Sequence, residues 1–155
     1  SALCRKNVEM TQSYYAKELA ETRISIETEG LDTPHTARVD AEQISRVVMS
    51  MIGNSIYAVT KKYRLKPYSP IIRLTISPST TEGRVDIGIY DNGIGIESTI
   101  IDNVFDPFFT TKTTAEAVGV GLYLSREIVL NHGGEITVES KKEVETKFTI
   151  SLPQE

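Results

Sequence analysis

The chain has 155 residues, enough for one domain with a core of its own. Its 39% hydrophobic and 25% charged residues are ordinary for a soluble globular protein, and a net charge of −4 without a basic run argues against nucleic-acid binding by phosphate neutralisation. The apolar stretches are too short to span a bilayer, Cys4 has no second cysteine to pair with, and His35 and His132 without a Cys/His cluster argue against zinc. The chain opens Ser1-Ala2 with no initiating Met and no signal-peptide pattern, so it reads as part of something longer.

Residues 5–21 predict a helix of modest amphipathicity, and residues 23–27 alternate polar and apolar as a half-buried strand does. Gly30 and Pro34 interrupt the chain. Asp40 followed three residues later by Gln43 predicts a capping box, in which each side chain satisfies the other's backbone. Ile44, Val47, Val48, Met51, Ile52, Ile56 and Val59 then fall at helical spacing, so one apolar stripe should run to about Lys62. Pro67 and Pro70 close that connection.

Residues 71–77 and 84–90 alternate as two strands of a hairpin around polar turn residues. A glycine-rich DNGIGI segment follows at 91–96, then a short helix over 98–103. An aromatic loop, VFDPFFTTK, covers 104–112, and the small polar residues 113–118 predict a mobile stretch. A helix over 122–131 ends at Gly133-Gly134, and residues 135–140 and 146–152 form a last strand pair. The order predicts an α+β fold: a two-layer sandwich with one mixed, mostly antiparallel sheet and helices packed on one face.

Four places carry chemistry. Asp91 ends an apolar strand and is followed by Gly93 and Gly95, which let backbone approach a flat ligand closely. A buried carboxylate there accepts a hydrogen bond from an exocyclic amino group and rejects a ring that lacks one. Asp-Asn-Gly is also ordinary turn chemistry, so the segment alone does not decide. Asn54 sits at the border of the apolar stripe; its carboxamide oxygen suits Mg²⁺, or it is simply a satisfied polar residue. Gly119 and Gly121 open a helix, where free N–H groups favour phosphate, although the full dinucleotide and phosphate-loop patterns are absent. Lys112 can neutralise a polyphosphate or sit in solvent, and Phe105, Phe108 and Phe109 are either core plugs or a docking surface.

The order of these motifs resembles the catalytic, ATP-binding domain of sensor histidine kinases, in the superfamily shared with gyrase, heat-shock chaperones and mismatch-repair ATPases (the Bergerat fold). VVMSMIGNSIYAV resembles its N box, DNGIGI its first glycine box, VFDPFFTTK its F box, and VGVGLYLSREIVLNHGGEITVES its second glycine box. The resemblance covers roughly 23–155, leaving 1–22 as a linker or the tail of a preceding dimerisation and phosphoacceptor helix.

The resemblance implies that Asn54 coordinates Mg²⁺ and that Asp91 accepts the adenine amino group. Gly93, Gly95, Ile96, Tyr57, Ala58 and Thr146 would complete the base pocket. Lys112, Gly119, Val120, Gly121 and Leu122 would meet the phosphates, and residues 110–118 would form the ATP lid. Phe105, Phe108 and Phe109 would dock the acceptor helices. ATP and Mg²⁺ are the implied cofactors. The implied partners are a phosphoacceptor helical domain of the same protein and, indirectly, a response regulator; the isolated fragment should be monomeric. Neither His35 nor His132 resembles the acceptor histidine, so the fragment would hand a phosphoryl group to a histidine elsewhere. The resemblance also implies a cytoplasmic location, as the cytoplasmic part of a bacterial sensor that membrane anchoring would suit.

Three positions depart from the pattern: Ser50 where an Asn or Glu is usual, Ala117 where a glycine is usual, and Glu145 before Thr146 where a glycine is usual. Ser50 lacks the carboxylate that would activate water, which argues against a hydrolase of the superfamily. Two other readings stay open: a degenerate nucleotide-binding or docking module, and an ATPase of the same superfamily.

Overall fold

The computed structural model describes residues 1–107 and 121–154. Two short helices, α1 (Ala2–Tyr14) and α2 (Ala16–Thr22), precede strand β1 (Ser25–Glu29) and the long helix α3 (Ala41–Leu65). Strands β2 (Ile71–Pro78) and β3 (Arg84–Asp91), a 3-10 turn (Ile101–Asn103), α4 (Gly121–Asn131), β4 (Glu135–Lys141) and β5 (Glu145–Pro153) follow. No helix among the described residues is long and apolar enough to cross a membrane.

The five strands form one sheet in the order β1-β2-β3-β5-β4; β1 is parallel to β2 and every other pairing is antiparallel. This is the expected α+β architecture of a mixed, mostly antiparallel sheet. Its register sorts side chains by face, because a strand repeats every two residues. Leu74, Ile89, Phe148 and Val138 form one cross-strand row, and Ile76, Ile87, Ile150 and Ile136 the next. These rows meet α3, whose whole predicted stripe, Ile44 to Val59, is buried. The opposite face carries Arg73, Tyr90, Lys147 and Glu139 in one row and stays polar.

Several boundaries differ from expectation, most by one to three residues. The helix predicted over 5–21 breaks at Tyr15 (φ −103°, ψ 23°). The Tyr15 hydroxyl lies over Gly53 of α3, where a Cβ would come within 2.9 Å of it. The modest amphipathicity of α1 also has a cause. Two of its three buried positions are polar: Ser45 Oγ donates to Asn7 Oδ1 at 3.1 Å, and Thr11 Oγ1 donates to Asn7 O at 2.8 Å. Strand β1 starts at Ser25 because Arg23 closes α2 in left-handed backbone (φ 54°). Helix α3 continues to Leu65, and Lys66 N–H still reaches Lys62 O at 3.1 Å before Pro67 ends it. Where a helix was expected over 98–103, only the last three residues form a 3-10 turn.

The capping box is half right. Asp40 Oδ1 accepts from the N–H groups of Glu42 (3.1 Å) and Gln43 (3.2 Å), as an N-cap should. The reciprocal acceptor for Asp40 N–H is not Gln43 but His132 Nε2, at 3.1 Å. His132 Nδ1, 2.7 Å from Ile128 O, is the donor that leaves Nε2 free to accept. One imidazole thus ties the end of α4 to the start of α3. We predict that His132→Ala costs about 1 kcal/mol in denaturant unfolding, the size of one hydrogen bond, while Gln43→Ala stays within about 0.5 kcal/mol. Equal effects from the two substitutions would refute this assignment.

Candidate functional site

One cross-strand row on the covered face of the sheet breaks the apolar pattern. Beside Leu74–Ile89–Phe148–Val138 runs Ile72–Asp91–Thr146–Ser140. Three polar side chains therefore gather at one end of an apolar layer. Asp91 is 2% exposed and Thr146 4%. Pairing of β3 with β5 brings Asp91 opposite Thr146 although 55 residues separate them in sequence.

Burial pushes the Asp91 carboxyl up to about 6, against 3.8 for an exposed aspartate. Three groups pull the other way. Gly93 N–H donates to Oδ1 at 2.9 Å, the Ser55 hydroxyl of α3 stands beside the carboxyl, and Lys62 adds positive charge. Burial and the Asp91 charge in turn push the Tyr68 phenol up.

The glycine segment after Asp91 is wedged between α3 and the β4–β5 turn. A Cβ on Gly93 would lie 2.6 Å from the Ala58 backbone, and one on Gly95 (φ +68°) 2.2 Å from Lys141 O. Only glycine tolerates both approaches. Ile94 N–H donates to Ala58 O at 3.3 Å, and Ile96 N–H donates to Ser140 Oγ at 2.8 Å. Ser140 Oγ is also 2.8 Å from Thr146 Oγ1 and from Glu145 O. Lys62 Nζ donates to Asn92 O (3.1 Å) and Glu143 O (2.8 Å), and Lys142 pairs with Glu97. Asn92 anchors the segment's other side, accepting from Ile71 N–H at 2.7 Å and donating to Ser69 O at 3.0 Å.

Asn54, Tyr57 and Ala58 are half-buried along the α3 border that faces this segment, and Lys61 lies 5.6 Å from the Tyr57 ring centre. Gly121 opens α4 next to Ser50, one turn before Asn54 on α3; a Cβ there would meet Ser50 Oγ at 3.3 Å. Leu122 is half-buried against the core. The structure therefore brings the glycine-started helix, the Asn-bearing helix and the Asp91 row together. Phe105 turns an edge onto core Phe148 (6.3 Å, 81°), with the Arg126 guanidinium 5.9 Å from its ring centre. Phe108, Phe109, Lys112, Ala117, Gly119, Val120 and the expected lid at 110–118 lie outside the described residues.

The model of the histidine kinase-, DNA gyrase B- and HSP90-like ATPases matches residues 39–155. The chain belongs to that family. Among curated relatives, it is 34% identical over 122 residues to the sensor histidine kinase ZraS of Escherichia coli, covering 79% of this chain and 24% of ZraS. It is 26% identical over 146 residues to the sensor protein TdiS of Thauera aromatica, covering 94% of this chain and 26% of TdiS. The chain thus spans about a quarter of these relatives.

Among solved structures, the nucleotide-free catalytic domain of histidine kinase ThkA superposes with a TM-score of 0.76 at 21% identity, covering 97% of this chain and 93% of that one. Full-length ShkA, solved in complex with AMPPNP, gives 0.79 at 19% identity, covering 99% of this chain and 29% of that one. The fold is that of a histidine kinase catalytic domain of this ATPase family.

Three site features were not legible in the motifs. Ser140 is a Ser in an ordinary strand, Lys62 a Lys at a helix end, and Ser55 a small residue inside an apolar run. Only the register and the α3 packing show what they touch.

The raised Asp91 carboxyl makes folding stability depend on pH. The folded chain holds this proton more tightly than the unfolded chain, so the contribution to stability is full below about pH 4. It is lost as pH rises towards 6, by up to about 3 kcal/mol. Asp91→Asn removes that dependence. Denaturant unfolding of both proteins from pH 4 to 7.5 should show the wild type falling relative to the variant up to pH 6 and parallel to it above. A pH-independent difference would show that Asp91 ionises like an exposed carboxyl.

Proposed function

We propose that this chain binds Mg-ATP and presents its γ-phosphoryl group to a histidine on a separate dimerisation and phosphoacceptor domain of the same protein. The observation that carries the reading is the Asp91 carboxyl. It is 2% exposed at the end of an apolar layer, with one oxygen held by Gly93 N–H and the other uncommitted to backbone. Burial of a carboxylate is costly and is tolerated where a ligand donor completes it. An exocyclic amino group on a flat ring, entering along the Gly93–Gly95 wall and beside Thr146, meets that requirement. Adenine is such a ring.

The remaining residues fit the phosphates. Asn54 offers a carboxamide oxygen on a rigid helix, one turn from the point where α4 begins beside Ser50. A single protein oxygen suits Mg²⁺, which fills its other positions with water and phosphate. Bound there, Mg²⁺ would neutralise charge on the transferring phosphoryl group. Gly121 and the residues before it, with Lys112, would meet the phosphate oxygens through N–H groups and a cation. This chain's task is then positioning: it holds the base, fixes the triphosphate in line and leaves the nucleophile to its partner. Ser50 provides no carboxylate to activate water, so steady hydrolysis is not expected.

Residues 1–22 are read as the connection from the phosphoacceptor helices, laid along α3. In two-component signalling the acceptor histidine would pass its phosphate to a response regulator. The Phe105 side of the domain, with the phenylalanines that follow it, would face the acceptor helices.

The test is calorimetric titration with a non-hydrolysable ATP analogue, with and without Mg²⁺. Saturable binding that strengthens with Mg²⁺ is expected, weakened at least about hundredfold by Asp91→Asn and made insensitive to Mg²⁺ by Asn54→Ala. Mixing with the cognate acceptor domain and labelled ATP should give acid-labile phosphohistidine on that domain. No binding at millimolar analogue would leave a scaffold that docks without nucleotide. Binding without transfer would mark a degenerate module.

A further inference from the structure

Three buried threonines on the helices of this domain share one arrangement, and buried Ser55 on α3 does not. Thr11, Thr22 and Thr60 each return their proton to the carbonyl four residues earlier, at 2.8, 2.6 and 2.8 Å. This is how a hydroxyl inside a helix is normally satisfied. Ser55, 1% exposed in the middle of α3, does not; its Oγ has no hydrogen bond among the described residues. Its proton is therefore unspent, in a place where an unpaired polar group is destabilising.

What Ser55 faces is the Asp91 carboxyl. The hydroxyl is close enough to favour the ionised form, although no hydrogen bond of good geometry joins them. Asp91 Oδ1 already accepts from Gly93 N–H. The carboxyl's remaining capacity to accept is shared between Ser55 and whatever enters the pocket.

We infer that Ser55 is a positioning residue for base selection, its hydroxyl donating to Asp91 and holding that carboxylate as a pure acceptor aimed at an exocyclic amino group. The inference rests on the adenine reading of Asp91. Its chemistry follows from donor and acceptor counts. A charged carboxylate accepts from the amino group of adenine and repels the ring oxygen that hypoxanthine carries in its place. A protonated carboxyl can donate to that oxygen and so tolerates both rings. A donor beside the carboxylate that is not itself part of the ligand keeps the first state. Other groups around Asp91 contribute without replacing it: Lys62 of α3 adds positive charge, while Tyr68 before β2 and Tyr90 of β3 feel the carboxylate's charge. From β5, Thr146 brings a hydroxyl opposite Asp91 and no charge.

The test compares wild type, Ser55→Ala and Ser55→Thr by calorimetry. The ligands are a non-hydrolysable ATP analogue and the matching inosine triphosphate analogue, titrated between pH 5.5 and 8. Wild type should prefer adenine. Ser55→Ala should lose about tenfold of that preference and shift the acid fall-off of adenine-analogue affinity to higher pH, with an unchanged or higher thermal midpoint. Ser55→Thr, which keeps the hydroxyl, should restore both the preference and the pH profile.

Equal weakening of the two analogues in Ser55→Ala, with the pH profile unmoved, would overturn the inference and leave the nucleotide reading standing. Failure of wild type to bind either analogue would overturn both.

Discussion

A carboxyl with 2% exposure sets the terms for this end of the molecule. Asp91 occupies a position on the covered face of the sheet where the neighbouring rows place Ile89 and Ile87. An apolar residue there would extend the core at no electrostatic cost. Instead the chain accepts a group whose ionised form is disfavoured by burial, and surrounds it with few compensating partners: one backbone N–H, one nearby hydroxyl and one lysine charge. Partial compensation is what a binding site needs. A carboxylate satisfied from all sides would have nothing left for a ligand, and an unsatisfied one would stay protonated.

The glycine segment is held by contacts that are remote in sequence. Lys62 reaches across from the end of α3 to the carbonyls of Asn92 and Glu143, and Ser140 receives Ile96 N–H from the far strand pair. The ion pair of Lys142 with Glu97 is exposed and adds little stability of its own. Its use is geometric, since it draws the β4–β5 turn over Gly95, the residue that only glycine can be. Loop shape here is set by what packs on the loop from both sides. The local Asp-Asn-Gly chemistry, which would serve any turn, does not set it.

This explains which parts of the molecule could be read in advance. Periodicity announces elements whose burial follows a repeat, so the α3 stripe and the strand alternations appeared at nearly their observed positions. It fails where burial is polar or where a cap decides. The α1 helix buries Asn7 and Thr11, which blurs its stripe, and its break at Tyr15 answers to Gly53 on another element. Asp40 carries the signature of a cap, but its reciprocal partner, His132, is 92 residues away and no local rule could name it. The same division holds at the site. Asp91, the glycines and Asn54 stand in recognisable motifs. Ser55, Lys62 and Ser140 stand in none, because their roles are defined by cross-element distances.

Helix α3 joins these two levels. Its buried stripe is the largest contribution to the core, and its border carries Asn54, Tyr57 and Ala58, with Ser55 turned inward between them. A helix that bears both core and site transmits any slip in packing directly to the site, so its position must be fixed at both ends. His132 secures the first turn through Asp40, and Lys62 secures the last turns through Asn92 and Glu143. Between them Gly53 lets the Tyr15 hydroxyl approach closely from outside the sheet layer. Functional geometry of this kind depends on locked supporting residues as much as on those that touch ligand.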